Sequence, residues 1–186
     1  MYDIEPHASW LPLAEAAQKE TDPRRRALIQ EVRDHMEAEI TGNLDALMDT
    51  LTAEPIYHFW GNGEPMVLQG REQVRGFYSG MMAVGGEQFE VVVERVIAGS
   101  DHVVTEGQVK QVNSAESVLA AGVTEVNGVP VSEHEFWLSN AQLVTVWPAD
   151  AEGKLIGEDI YFGQSPYSTL KPIAREQIPP YYKFAA

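Results

Sequence analysis

Three residues that can exchange protons lie in segments of the chain that are typical of β-strands. His58 lies in EPIYHFWGNGEP, Glu106 lies in VVTEGQV and Glu158 lies in KLIGEDIYFG. Histidine titrates near neutral pH, and a carboxyl group does so when burial raises its pKa. We therefore expect His58, Glu158 and Glu106 to be the catalytic groups. The alternative interpretation places both glutamates on a solvated sheet face and His58 in a structural hydrogen bond.

The sequence offers little for other kinds of catalysis. There is no cysteine, which excludes thiol chemistry and thiolate metal sites. No nucleophile elbow, phosphate loop or dinucleotide fingerprint occurs. The chain has five histidines: His7, His35, His58, His102 and His134. No two of them show the spacing of a metal site, so we expect neither a metal nor a cofactor. Cofactor-independent acid-base catalysis remains.

The charge of the chain argues against several partners. It has 28 acidic and 13 basic residues and a net charge of −15, which repels nucleic-acid phosphates and anionic lipid surfaces. The N-terminus lacks the basic start and apolar run of a signal peptide, and no segment is apolar enough to span a membrane. We expect a cytoplasmic protein without nucleic-acid or membrane partners.

Helical patterns come first along the chain and strand patterns follow. Asp22 and Pro23 predict the start of a long helix, as N-cap and first helical residue. Its apolar residues recur every fourth position: Leu28, Val32, Met36 and Ile40. After Gly85-Gly86 the pattern changes to long β-rich runs. This order predicts the α+β class, with helices packed on one face of a curved antiparallel sheet.

The chain fits one domain with a short extension at each end. We expect a single domain over residues 1–163, with its core at 22–163 and a helical extension at 1–21. Residues 164–186 are rich in proline and tyrosine, which predicts a tail that packs on the domain or on a partner subunit.

The order of motifs resembles that of a known superfamily. A helix is followed by GNLDALMDTLTAEPIYHF, a turn, GREQVRGFY, and strands that end in GKLIGEDIYFG. This arrangement, over roughly residues 28–163, resembles the nuclear-transport-factor-2-like superfamily, which includes SnoaL-like polyketide cyclases and ketosteroid isomerases. The resemblance implies a cone-shaped sheet, N-terminal helices on its concave face and a deep apolar pocket.

Individual positions can be carried over from the ketosteroid isomerase pattern. The pocket tyrosine of the first helix falls on His35 and its tyrosine partner on Tyr78, which implies a hydrogen-bonding pair that polarises a substrate oxygen. The general-base aspartate falls on Phe59 and the oxyanion-hole acid on Leu143. The aspartate of SnoaL-like cyclases falls on Ile160. Steroid isomerisation by the usual acids is therefore not expected.

Strand alternation, combined with this resemblance, predicts which side chains face the pocket. On the last strand it places Ile156, Glu158, Ile160 and Phe162 inward. Glu158 and Glu106, both inward, would divide the acid and base roles. For the first strand two options remain open: either Tyr57 and Phe59 face inward, or Ile56, His58 and Trp60 do. The resemblance favours Tyr57 and Phe59.

The predicted function is that of a small-molecule isomerase, cyclase or lyase acting on an apolar, carbonyl-bearing or polycyclic substrate, with epoxide hydrolysis ranked lower. Beside the catalytic residues, we expect these to bind substrate: His35, Tyr57, Phe59, Trp60, Tyr78, Trp137 and Phe162. The superfamily resemblance also implies a homodimer. The alternative is a non-catalytic module that binds a hydrophobic ligand or dimerises through its sheet.

Overall fold

The computed structural model of the chain describes residues 2–183. Its helices are α1 (Leu11–Lys19), α2 (Pro23–Ile40), α3 (Leu44–Asp49), α4 (Gly70–Ala83) and α5 (Ala115–Ala120). Its strands are β1 (Leu51–Trp60), β2 (Met66–Gln69), β3 (Glu90–Ala98), β4 (His102–Ser114), β5 (Glu125–Val126), β6 (Val129–Pro130), β7 (Phe136–Pro148), β8 (Leu155–Phe162) and β9 (Lys171–Ile173). Within residues 2–183, no helix is both long enough and apolar enough to cross a membrane.

Helix α2 begins where its capping residues predict. The Asp22 side chain accepts a hydrogen bond from the Arg25 backbone N–H at 2.9 Å, and Pro23 occupies the first turn, where no intrahelical donor is needed. The expected apolar stripe is buried against the sheet: Leu28, Val32, Met36 and Ile40. The helix thus lies across the sheet with one face in the core.

The main sheet has seven strands, in the order β2-β1-β8-β7-β4-β3, with β9 pairing to β7. All pairs are antiparallel except β1 and β8, which are parallel neighbours. The predicted α+β fold, a curved antiparallel sheet covered by helices, is confirmed. The β1–β8 pairing matters most for the site, because its register places Tyr57 beside Glu158.

A bulge near the start of β8 interrupts the alternation of its side chains. The pairing register of β1 and β8 shifts between Leu51 and Ile56, opposite Gly157, which has φ +151°. Leu155 and Glu158 are both buried although three positions separate them, and Ile156 is exposed. Against β7, the four steps from Leu155 to Asp159 lie opposite the three steps from Ala149 to Val146, so β8 carries one extra residue. The prediction that Ile156 faces inward was wrong for this reason.

Residues 164–183 pack on the same domain. Strand β9 joins the edge of the long strand β7. The side chains of Ile173, Ile178 and Tyr182 are buried in a cluster with Ile4, close to the other end of the chain. Both ends are therefore held against the sheet by apolar packing. The last three residues, 184–186, lie outside the described residues.

Candidate active site

A mainly apolar cavity of about 200 Å³ lies between the concave face of the sheet and helices α2 and α4. Helix α2 contributes Met36 and helix α4 contributes Met81 to its wall. Part of the remaining wall, here called the aromatic wall, consists of rings from α4, from the sheet and from the segment before β3: Phe59, Phe77, Phe89, Trp147 and Phe162. Such a wall suits a hydrophobic organic molecule.

Glu158 provides a carboxyl group in this apolar wall. Its side chain is inward on β8 and the residue is 4% exposed. The Tyr78 hydroxyl, from α4, donates a hydrogen bond to Glu158 Oε1 at 2.9 Å. His35 Nε2 lies 3.1 Å from the same oxygen. Side chains from helices α4 and α2 therefore fix the orientation of the Glu158 carboxyl group on β8.

His35 lies fully buried behind Glu158 and does not line the cavity. The Thr50 hydroxyl donates its only proton to the Leu47 carbonyl oxygen at 2.6 Å. Thr50 Oγ1 must therefore accept the 2.6 Å hydrogen bond from His35 Nδ1, which carries a proton. This leaves Nε2 facing Glu158 Oε1 at 3.1 Å. His35 positions Glu158 and is not placed to touch a substrate.

Two tyrosine hydroxyls complete the surroundings of Glu158. Tyr57 and Tyr78 are both buried, and each hydroxyl oxygen lies 3.4 Å from His35 Nε2. Burial, reinforced by the negative charge of Glu158, raises the pKa of both hydroxyls well above the ordinary tyrosine value. Both tyrosines therefore stay protonated and serve as hydrogen-bond donors. The predicted His35–Tyr78 pair is present, and it contacts Glu158.

Glu39 is a second carboxyl group in the cavity wall. It follows His35 by four residues on α2, which places both side chains on one side of the helix. The residue is only 9% exposed, and its carboxyl group takes part in no hydrogen bond with any other residue of the range 2–183. Desolvation, together with the charge of Glu158, raises the pKa of Glu39 well above the ordinary glutamate value. Glu39 therefore remains a neutral carboxylic acid while ordinary carboxyl groups are ionised.

The site brings one imidazole and two carboxyl groups together. The nearest donor atoms of His35, Glu39 and Glu158 lie within 4.8 Å of one another. Nitrogen and oxygen donors of these kinds hold zinc or iron in other proteins. Because Glu158 is distant in sequence from His35 and Glu39, these three residues come together only when β8 folds against α2.

We expect Glu39→Gln to make the protein more resistant to unfolding as the pH rises. A group whose pKa is raised by folding contributes stability that is complete below its unfolded pKa and is lost as the pH rises towards its folded pKa. Glutamine has no proton to lose. Since a buried group without partners costs about 1–3 kcal/mol, thermal unfolding at about pH 8 should shift upwards by about 2 °C or more, and less at about pH 5.

Glu152→Gln is the matched control, because it makes the same chemical change at a residue on an exposed turn. Its unfolding temperature should follow that of the unchanged protein at both pH values. If the unfolding temperature of Glu39→Gln also equals that of the unchanged protein at both pH values, folding does not raise the pKa of Glu39.

Several residues expected in the pocket lie elsewhere. We use outer face for the side of the sheet turned away from α2 and α4. His58 lies on this face, 35% exposed, with Nδ1 2.6 Å from Asp159 Oδ1, and its ring stacks on Trp60. Of the two options for β1, the structure places Tyr57 and Phe59 inward. The expectation that His58 and Trp60 contact a substrate is corrected accordingly.

Glu106 and Trp137 are also outside the cavity. Glu106 is on the outer face, where its carboxylate pairs with Arg95, so it is not the second inward acid. Trp137 is fully buried in a separate apolar cluster beneath α5, and its indole N–H donates to the Val131 carbonyl oxygen at 3.1 Å. Where no bulge interrupts a strand, alternation says which side chains share a face, but it does not say which face borders the cavity.

Glu39 was absent from the sequence-based candidates. Its position four residues after His35 was the available indication, since both flank the buried stripe of α2. A glutamate beside an apolar stripe is usually solvated, so the spacing alone does not distinguish the two cases.

Comparisons with known proteins agree with this architecture. Among solved structures, a candidate SnoaL-like polyketide cyclase from Shewanella putrefaciens superposes with a TM-score of 0.59 at 14% identity, covering 89% of this chain and 91% of that one. SalBIII, described as an epoxide hydrolase/cyclase-like enzyme in pyran ring formation in salinomycin, gives 0.53 at 16% identity, covering 78% and 95%. An LEH-like epoxide hydrolase from M. tuberculosis gives 0.54 at 16% identity, covering 79% and 89%. At these identities the likeness shows the fold alone.

The family comparison rests on sequence. No curated protein matches the chain. The model of the SnoaL-like domain family matches residues 32–145, which is more than half of the chain. The match includes the second half of α2, all of α4 and most of the strands around the cavity, and it ends before β8. The suspected membership is confirmed: the chain belongs to the SnoaL-like domain family, within the nuclear-transport-factor-2-like fold.

Proposed function

We propose that this protein is a small-molecule isomerase, cyclase or lyase that uses cofactor-independent acid-base catalysis on an apolar, carbonyl-bearing or polycyclic substrate. One observation carries the proposal: two carboxyl groups with donor atoms within 4.8 Å lie in an apolar cavity, in different surroundings. Glu39 is kept neutral by burial, and Glu158 accepts a hydrogen bond from Tyr78. Paired carboxyl groups in unlike surroundings divide acid and base roles.

The proposed proton transfers follow from these positions. The substrate carbonyl oxygen accepts a hydrogen bond from the Glu39 carboxyl O–H, while the Glu158 carboxylate removes a proton from the adjacent carbon. The product of this step is an enol, with Glu39 ionised and Glu158 protonated. Return of the Glu158 proton to a different carbon, with return of the enol O–H proton to Glu39, gives an isomer. In an elimination, the leaving group departs with its bonding electron pair and takes the Glu158 proton, while the enol O–H proton returns to Glu39.

The residues behind Glu158 support the transfer without touching the substrate. His35 lies 3.1 Å from Glu158 and is itself held by Thr50, so the carboxyl group keeps its direction during the reaction. Tyr78 donates to the same oxygen and moderates the change in its charge. The aromatic wall excludes water and so favours proton transfer to the substrate over exchange with solvent.

Deuterium exchange tests the proposal before the natural substrate is identified. Tetralone, a bicyclic ketone that matches the aromatic wall, is incubated with the protein in heavy water, and its α-protons are followed by NMR. We expect exchange on the order of 10²-fold faster than in buffer. If tetralone and other apolar ketones exchange only at the buffer rate, the non-catalytic binding module is the better description.

Epoxide opening is a second candidate, favoured by the neutral state of Glu39. A carboxylic acid can protonate the epoxide oxygen while a second carboxylate takes a proton from the attacking water. No arginine or lysine is among the described residues that line the cavity, so this route would run without a cationic side chain beside the two acids. Styrene oxide incubated in parallel distinguishes the two: accelerated diol formation without ketone exchange favours epoxide opening.

A further inference from the structure

The cavity wall is acidic in composition. In the part of the chain that the structure describes, no lysine, arginine or histidine side chain lines it. Two carboxyl groups do, and one of them, Glu39, is 9% exposed and takes part in no hydrogen bond within residues 2–183. Buried carboxyl groups normally have partners, so a ligand that supplies the missing donors would be well matched to this site.

We propose that the cavity binds apolar organic cations, whose protonated amine lies between the carboxyl groups of Glu39 and Glu158. An ammonium group offers up to three hydrogen-bond donors, enough to serve both carboxyl groups at once. Its positive charge also offsets the repulsion that Glu39 would otherwise meet from Glu158 on losing its proton. This inference goes beyond the proposed function, because binding a cation requires no turnover.

The aromatic wall fits the same kind of ligand. The ring of Tyr78, whose hydroxyl contacts Glu158, is followed by Phe77 at 5.3 Å between ring centroids and then by Phe59 at 5.3 Å. Aromatic faces attract cations within about 6 Å, and they pack well against hydrocarbon. The net charge of −15 further raises the local concentration of cations around the protein.

A divalent metal ion is the rival occupant, and the geometry favours it less. A metal would need His35 Nε2 as its third ligand. This atom is fully buried and already faces Glu158 and the hydroxyl groups of Tyr57 and Tyr78. An amine needs only the two carboxyl groups, so it leaves that network intact.

Binding of an ammonium group should release a proton from the site. The groups that face Glu39 are Glu158 from β8, Tyr57 from β1 and Tyr78 from α4, with His35 on its own helix. The tyrosines stay protonated, so Glu39 is the acid that gives up its proton when the ammonium arrives. The proton passes to the buffer.

Calorimetric titration with a matched pair of probes tests this inference. Aminoadamantane and adamantanol have the same skeleton, and only the amine is charged at neutral pH. We expect the amine to bind at least about tenfold more tightly than the alcohol. Titrations in two buffers of different ionisation enthalpy should show release of about one proton per amine bound and none for the alcohol.

Variants separate the role of the carboxyl pair from general effects. Glu39→Gln should abolish proton release and reduce the preference for the amine several-fold. Glu106→Gln makes the same change on the outer face and should retain both. Should Glu39→Gln fail to fold, the proton count and the probe preference of the unchanged protein still decide the question.

Three results would overturn the inference. The first is that the alcohol binds as tightly as the amine. The second is that the amine does not bind at millimolar concentration. The third is that no amine preference is seen, while zinc binds tightly to the unchanged protein and not to His35→Gln. The last result would assign the site to a metal ion. Ketone exchange without amine preference refutes only this inference, whereas amine preference without exchange refutes only the proposed function.

Discussion

We expect Glu158→Gln to slow ketone deuterium exchange on the order of 10²-fold or more. Glutamine has nearly the same shape, and its amide oxygen can still accept the hydrogen bond from Tyr78, but it cannot take a proton from carbon. Ketone binding should change little, because the aromatic wall is untouched. The loss should therefore appear in the rate at saturating ketone and much less in the concentration that gives half saturation.

Glu106→Gln is the control for this variant as well. It removes a carboxylate from a strand of the same sheet, but on the outer face and paired with Arg95. Exchange in this variant should remain within about twofold of the unchanged protein, since surface pairs contribute little to the fold. A Glu158→Gln protein that is folded and exchanges ketone protons at nearly the original rate removes Glu158 from the mechanism.

The fold was accessible from sequence because its local features agree with one another. Asp22 and Pro23 indicated the start of α2, and the apolar residues at every fourth position indicated its buried face. The change from helical to strand periodicity predicted the layers. The superfamily resemblance supplied the cone-shaped sheet with helices on its concave face. The parallel pairing of β1 and β8 was not predicted, because no local pattern specifies it.

The site was only partly accessible, and the reason is geometric. Period-two alternation places Glu106 on the same side of β4 as Val104 and Gln108, but the curvature of the whole sheet decides whether that side borders the cavity. The inward group on β4 includes Thr105 and Val109 instead. For Glu158 the resemblance supplied the face, and its placement in the cavity wall agrees with that assignment.

Glu39 shows a different limit. Nothing in its neighbourhood on α2 distinguishes it from a solvated glutamate, because the carboxyl group that faces it belongs to β8, near the other end of the chain. Its raised pKa is a property of the assembled pair. Residues of this kind become visible only when the distant strand is placed against the helix.

The bulge that directs Glu158 into the cavity should not tolerate a side chain. Gly157 has φ +151°, and a Cβ atom added there would collide with the Ile56 carbonyl oxygen on the neighbouring strand. Backbone strain and steric overlap each cost about 1–3 kcal/mol. We therefore expect Gly157→Ala to lower the free energy of unfolding by about 2–5 kcal/mol, measured by urea denaturation.

Gly76→Ala tests whether this loss comes from the bulge. Gly76 lies within α4 with no atom within 4 Å of an added Cβ, so alanine there should stabilise the protein by about 0.5–1 kcal/mol. Any Gly157→Ala protein that remains folded should also exchange ketone protons slowly, because β8 must move away from β1 and carry Glu158 with it. Full stability and full exchange in Gly157→Ala would show that the inward direction of Glu158 does not depend on this bulge.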